Sequence, residues 1–224
     1  MTTAFRADAS NDMGIGHIMR CLTVAERLRA RGVAVRFVCG DHPGSMAEIL
    51  RQRAIETTLL PRSGVPVEAA EPEYGAWLGT TQSKDAEQTI GALDGGHLDW
   101  LVVDHYALDA VWESKLRAHA DHLLVIDDLA NRRHDCDLLV DQNFSSSGQD
   151  RYLGLVPDGT ESLLGPHFAM LRPEYRQARR GSTPGNGEVR NVFIFFLRCD
   201  ERLATCFCID DPEVRLTRRN VLIG

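Results

Sequence analysis

Apolar and polar positions follow two alternating patterns along the first 143 residues of the chain. Short, continuously apolar runs predict buried strands, and longer segments with apolar residues three or four positions apart predict helices. The helical pattern is clearest from Gly16 to Arg31, where Ile18, Leu22, Ala25 and Leu28 share one face. The predicted strands are Phe5 to Ala9, Val33 to Cys39, Glu56 to Leu60, Trp100 to Val103, Leu123 to Ile126 and, as the last strand, Leu138 to Val140.

Three further helices are predicted between these strands. They are Ser45 to Arg53, Ser83 to Leu93 and Asp109 to His119. In the first of them, Ser45 is expected to be the N-cap and Glu48 to complete a capping box. The segment from Gly64 to Gly79 is rich in Pro, Gly and Glu and is predicted to be a loop.

Apolar strands that alternate with helices predict an α/β fold, a Rossmann-like parallel sheet with helices on both faces. Ligands of such sheets bind beyond the carboxyl ends of the strands. Polar clusters follow four of the predicted strands, and we expect them to meet at one rim. The clusters are Ser10 to His17, Asp104 to Tyr106, Asp127-Asp128 and Asp141 to Asn143.

The segment Gly14-Ile15-Gly16-His17 occupies the first turn from strand to helix. Glycines there let backbone amides approach an oxygen-rich ligand, and the start of a helix favours negative charge. His17 is the best candidate for a general base, because a helix N-terminus favours the neutral imidazole that accepts a proton. A histidine that only caps its own helix fits the spacing equally well.

Other candidate site residues have competing structural interpretations. Arg20 lies one turn after His17 and could reach the same cleft, although taken alone it fits a solvated helix arginine better. Asp104, His105 and Tyr106 follow one strand, where aspartate is also a common cap. Asp127 and Asp128 are at least as well explained by pairing with the nearby Arg132 or Arg133.

Composition and missing motifs exclude several function classes. The net charge of −7 disfavours a non-specific nucleic-acid binder, and no apolar run reaches the length that spans a bilayer. No secretory signal is recognisable, so we expect a cytoplasmic protein whose six cysteines are thiols. Met19 stands where a dinucleotide motif needs its third glycine, and Cys206 and Cys208 lack partners for zinc, so no cofactor or metal is expected.

The chain changes character after Asn143, where periodic signals become sparse. We predict a domain over residues 1–180, a linker over 181–188 and the start of a second domain over 189–224. Val192 to Phe196 is predicted to be the first strand of that second domain. The 28 residues after Phe196 show no clear βα repeat and are too few to complete a domain.

An ordered set of motifs resembles a known enzyme family. Arg6 to Ser10 and Gly14 to Leu22 are similar to the N-terminal signature of the UDP-2,4-diacetamido-2,4,6-trideoxy-β-L-altropyranose hydrolases of pseudaminic acid biosynthesis, which serves flagellin glycosylation. The further matches, in the family's order, are Val103 to Tyr106, Ile126 to Asp128, Asp141 to Asn143, Leu155 to Pro157, Leu164 to Pro166 and Leu171 to Glu174.

The resemblance implies a GT-B architecture, in which two Rossmann-like domains face each other across a cleft. It implies metal-independent hydrolysis of a UDP-sugar to UDP and the free sugar, with inversion at the anomeric carbon. His17 takes the position of the family's base and Tyr106 that of a tyrosine beside the reacting sugar. Residues expected to bind substrate are Gly14, Gly16, Arg20, Asp104, His105 and Asn143. The partner is a small UDP-sugar; the oligomeric state is left open, with a monomer expected.

The sequence departs from the family after Phe196. The family continues there with a Gly-Gly-x-Asp turn, whereas this chain reads Leu197-Arg198-Cys199-Asp200. We hypothesise a truncated or frame-shifted second domain, and we expect little hydrolase activity from the chain alone. Two alternatives stay open: a GT-B glycosyltransferase, and a non-catalytic remnant that only binds ligand.

Overall fold

The computed structural model describes residues 1–62, 74–146 and 148–181, and the backbone of 192–196, 205–209 and 217–219. The chain forms two units, Met1–Leu171 and Arg172–Gly224, which are described separately.

The first unit alternates strands with helices, as the hydrophobic pattern predicts. Its strands are β1 (Thr2–Ala7), β2 (Ala34–Gly40), β3 (Glu56–Leu60), β4 (Leu98–Asp104), β5 (Ala120–Ile126), β6 (Leu138–Asp141) and β7 (Glu161–Leu164). Its α-helices are α1 (Gly16–Arg29), α2 (Ala47–Gln52), α3 (Gln82–Ala92) and α4 (Ala110–Leu116), and short 3₁₀ helices include Gly75–Leu78.

All seven strands belong to one parallel sheet with the order β3-β2-β1-β4-β5-β6-β7. The order reverses between β1 and β4, and such a switch point opens a crevice beyond the carboxyl ends of the two strands. The predicted fold class, a Rossmann-like parallel sheet, is confirmed.

Alternate residues of β4, β5 and β6 point into two separate hydrophobic cores, because side chains change faces at every position. Val102 packs in a core with Ile18 and Leu22 of α1, and α2 joins the same core through Leu50. On the other face, Leu101 and Val103 pack in a core with Ala86 of α3 and with Trp112 and Leu116 of α4. Helices therefore cover both faces.

Three sequence predictions about local structure were wrong. Helix α2 begins at Ala47, and its N-cap is Met46 without a side-chain hydrogen bond, so Ser45 and Glu48 form no capping box. The Ser45 amide instead donates to the carbonyl of His42 in the preceding turn. Leu138–Asp141 is not the last strand of the sheet, because β7 follows it as a partly exposed edge strand.

The second unit contains helix α5 (Pro173–Gly181) and an antiparallel sheet of β8 (Val192–Phe196), β9 (Thr205–Ile209) and β10 (Thr217–Arg219). The predicted strand from Val192 to Phe196 is confirmed. Of the predicted linker over 181–188, Gly181 is described, as the last residue of α5, and the rest lies outside the described residues.

Candidate active site

The loop between β1 and α1 leaves open space at the start of the helix. The hydroxyl of Ser10 accepts the amides of Asp12 and Met13, and the Gly14 amide donates to the Ser10 carbonyl at 2.8 Å. Gly14 has a φ of 74°, a left-handed conformation that glycine adopts without strain. A Cβ atom at Gly16 would meet nothing within 4 Å, so the helix start is open to a ligand.

His17 and Asp104 form a buried histidine–carboxylate pair across the switch point. His17 Nδ1 lies 2.6 Å from Asp104 Oδ1, and the Asp104 side chain is fully buried. Arg20 Nη2 is 3.3 Å from the same ring nitrogen, but a guanidinium has no lone pair to accept a proton. The short carboxylate contact therefore places the ring proton on Nδ1, which leaves Nε2 as the acceptor.

Arg20 continues the network from Asp104 to the next strand end. Its Nε and Nη2 donate to the two Asp104 oxygens at 2.6 and 2.7 Å, and its Nη1 donates to Asp128 at 3.1 Å. The Tyr106 hydroxyl donates to the other Asp128 oxygen at 2.5 Å, and the Tyr106 ring meets the His17 ring edge-on at 4.6 Å. Four side chains from three parts of the chain are thus held around the His17 ring.

The electrostatics of this network fix the protonation states of Asp104 and Tyr106. Burial alone would raise the pKa of the Asp104 carboxyl, but the hydrogen bond from His17 and the charge and hydrogen bonds of Arg20 outweigh it and hold that pKa well below its usual range. Burial and the hydrogen bond to Asp128 raise the pKa of Tyr106 above its ordinary value. Asp104 is therefore a carboxylate at neutral pH, and Tyr106 is a neutral hydrogen-bond donor.

His105 lies away from the rim, in a second buried network. Its Nδ1 accepts the Ala107 amide at 3.0 Å, and its Nε2 lies 3.2 Å from Asp8 Oδ2 without hydrogen-bonding geometry. Burial lowers the pKa of His105, and the contact with Asp8 offsets this only in part. The predicted role of His105 in substrate binding stays a prediction that this buried position does not favour.

Asn143 joins the site to a neighbouring cavity. Its side-chain amide donates to Asp128 at 3.3 Å, and the residue is exposed. Beyond it, Phe144, Arg151, Leu164 and other residues line a cavity of about 140 Å³. The structure thus brings His17, Arg20, Asp104, Tyr106 and Asn143 together at one rim, next to the loop residue Gly14 and the open helix start at Gly16.

Sequence reasoning left Asp128 with a competing structural interpretation and did not single out Tyr74 or Trp77, although all three belong to this site. Asp127 pairs with Arg132 at 2.7 Å, as the structural interpretation predicted, but Asp128 pairs with Arg20 and Tyr106 instead. Tyr74 and Trp77 were part of the predicted loop, and their rings pack against Tyr106 with centroid distances of 5.2 and 6.0 Å.

We expect replacement of Asp104 by asparagine to lower the free energy of unfolding by about 3 kcal/mol at pH 7, because Arg20 loses a buried counter-charge. A carboxyl whose pKa is depressed by folding stabilises the protein above its unfolded pKa and loses that effect as the pH falls. The difference in free energy of unfolding between the wild type and Asp104→Asn should therefore shrink by about 1 kcal/mol as the pH falls from 5 to 3. Urea unfolding of both proteins at each pH measures this difference. A difference that grows as the pH falls would contradict a depressed pKa of Asp104 in the folded protein.

Fold and site together describe a Rossmann-like α/β domain with a histidine–carboxylate pair at its switch point. No protein-family model matches the chain. A curated relative is the UDP-2,4-diacetamido-2,4,6-trideoxy-beta-L-altropyranose hydrolase of Campylobacter jejuni subsp. jejuni, 25% identical over 177 residues, which are 79% of this chain. The resemblance found in the sequence motifs is confirmed by this relative.

The chain spans 54% of the length of that curated relative. Among solved structures, the chain is similar to the crystal structure of MurG from Acinetobacter baumannii, with a TM-score of 0.42 and 14% identity, over 73% of this chain and 44% of the other. Within the described residues, no helix is both long and apolar enough to span a membrane.

Proposed function

We propose that this chain carries the catalytic base of a UDP-sugar hydrolase, acting on UDP-2,4-diacetamido-2,4,6-trideoxy-β-L-altropyranose in the cytoplasm within pseudaminic acid biosynthesis. The observation that carries the proposal is the His17–Asp104 pair, with 2.6 Å between the ring nitrogen and a fully buried carboxylate oxygen. Similarity to a curated hydrolase of this substrate supports it. In a GT-B arrangement, the rim of this domain would face the nucleotide-binding half.

The proposed reaction uses His17 Nε2 as a general base. Nε2 takes a proton from a water molecule as the water oxygen forms a bond to the anomeric carbon. The bond between that carbon and the diphosphate oxygen breaks, and its electron pair leaves with UDP. Asp104 keeps Nδ1 protonated before the step and stabilises the imidazolium after it, and the extra proton then passes to solvent. Attack opposite the leaving group inverts the anomeric carbon.

The remaining residues of the rim have supporting roles in this proposal. Tyr106 stays protonated, and Asp128 fixes its hydroxyl, so its ring forms a wall beside the sugar carbon. Arg20 gives three of its hydrogen bonds to Asp104 and Asp128, so we assign it to positioning these carboxylates as well as to the substrate rim. Asn143, Gly14 and the open backbone at Gly16 are proposed to contact the sugar directly.

The test is UDP release in H₂¹⁸O, with protein in excess over the UDP-sugar so that a single slow turnover is detected. We expect UDP to appear together with free sugar that carries ¹⁸O at its anomeric carbon, and we expect no release from UDP-N-acetylglucosamine. Label in UDP instead of sugar would show attack at phosphorus and contradict the mechanism. UDP release only after an acceptor sugar or lipid is added would favour the glycosyltransferase alternative.

A further inference from the structure

Three aromatic rings form a compact cluster beside the His17–Asp104 pair. The Tyr74 ring lies 4.7 Å from the Trp77 ring and 5.2 Å from the Tyr106 ring, and Trp77 and Tyr106 are 6.0 Å apart and inclined by 27°. Tyr106 in turn contacts the His17 ring at 4.6 Å. All three aromatic residues are only half-buried, so the cluster is part of the surface of the site.

The segment that carries Trp77 is fixed by a contact with the hydrophobic core. Trp77 belongs to the 3₁₀ helix Gly75–Leu78, which ends at Gly79 with a φ of 68°. Leu78 is 3% exposed and packs in the same core as Ala86 of α3. Leu78 therefore holds the 3₁₀ helix in place, and the ring of the adjacent Trp77 stays half-exposed beside the site.

The rim consequently has two chemically different sides around Tyr106. The hydroxyl of Tyr106 points to the charged side, where Asp128 and Arg20 lie. The ring of Tyr106 belongs to the aromatic side with Tyr74 and Trp77. Ligand sites commonly combine an apolar wall with a few placed polar groups, and the two sides then fix the orientation of the ligand.

We propose that Tyr74 and Trp77 form, with Tyr106, an aromatic subsite that binds the apolar C–H face and the C6 methyl group of a 6-deoxy sugar. This inference rests on the proposed function, which supplies a sugar that has a methyl group where common hexoses have a hydroxymethyl group. A methyl group buries apolar surface against the rings. A hydroxyl in its place would lose its hydrogen bonds to water, so the subsite selects against ordinary hexoses.

Calorimetric titration with free 2,4-diacetamido-2,4,6-trideoxy-L-altrose and with its 6-hydroxy counterpart tests the subsite. The wild-type chain should prefer the 6-deoxy sugar, and Trp77→Leu should weaken binding of the 6-deoxy sugar about tenfold and binding of the 6-hydroxy sugar by less, so that the preference falls. Trp77→Phe keeps a ring and should recover most of the affinity. The matched control is Trp100→Leu, which removes a ring that pairs with His122 at 4.8 Å in the sheet.

The outcomes separate this inference from the proposed reaction. Equal affinity of wild type and Trp77→Leu, equal affinity of the wild type for the two sugars, or no binding of either sugar overturns the subsite. If Trp77→Leu shows no loss but UDP release is normal, the hydrolase proposal stands without the subsite. If the wild type prefers the 6-deoxy sugar through Trp77 but releases no UDP, the subsite stands and the hydrolase proposal fails.

Discussion

Replacing His17 with alanine should slow UDP release by about 10²- to 10⁴-fold, the usual contribution of a positioned general base. The side chain supplies the proton acceptor, and its neighbours are already arranged for that role. Asp104 Oδ1 lies 2.6 Å from Nδ1, and the Tyr106 ring lies 4.6 Å from the imidazole, so both neighbours hold the ring with Nε2 as its proton acceptor. The measurement is the single-turnover rate with protein in excess.

A surface histidine provides the matched control for this experiment. His97 lies in an exposed pair with Asp121 at 2.8 Å, and its side chain is 56% exposed. His97→Ala should leave the single-turnover rate within about twofold of wild type, since exposed pairs contribute little to stability. A His17→Ala protein that folds and keeps more than a third of the wild-type rate would remove His17 from the role of base.

The period of two along the strands explains which part of this site was predictable. Asp104 lies two positions after Val102, and Asp128 lies two positions after Ile126. Side chains two positions apart in a strand point to the same face, so both aspartates are expected on the face covered by α1. Arg20 of α1 lies there and reaches both carboxylates. Asp127 is one position off this alternation and forms hydrogen bonds with Arg132 and Tyr152 on the other face. The alternation of side chains along the strand could therefore have assigned the two adjacent aspartates to different faces before the structure was known.

Other features had no comparable signal in the sequence. Strand β7 is the four-residue edge segment Glu161–Leu164, whose pattern of exposed and half-buried positions shows no alternation. Tyr74 and Trp77 follow a stretch rich in Pro, Gly and Glu, where no periodicity indicates which side chains turn inward. Their position beside Tyr106 depends on Leu78 entering the core, a tertiary contact that local patterns do not encode.

Replacing Arg6 with methionine should lower the free energy of unfolding by about 3–5 kcal/mol at pH 7, the typical effect of removing one partner of a buried ion pair. Arg6 is fully buried in β1 and donates to Asp8 at 2.5 and 3.0 Å and to Asp85 of α3 at 3.1 and 2.6 Å. Methionine fills a similar space but leaves two buried carboxylates without their cation. Urea unfolding measures the loss, with Arg53→Met as control.

The control removes an arginine from an exposed pair with Glu26, where the loss should stay below about 1 kcal/mol.

The pH dependence gives an independent check. Burial alone would raise the pKa of Asp8, but in the wild type the Arg6 charge, together with the smaller effects of His105 and His42, outweighs it and holds that pKa well below its usual range. Without Arg6, burial should raise the pKa above the unfolded value, so the variant gains stability as the pH falls from 7 toward 5 while the wild type does not. The difference in free energy of unfolding between the wild type and Arg6→Met should therefore become smaller as the pH falls. A gap that is constant with pH would mean that Arg6 acts through packing alone and that the charges of Asp8 and Asp85 are compensated by other groups.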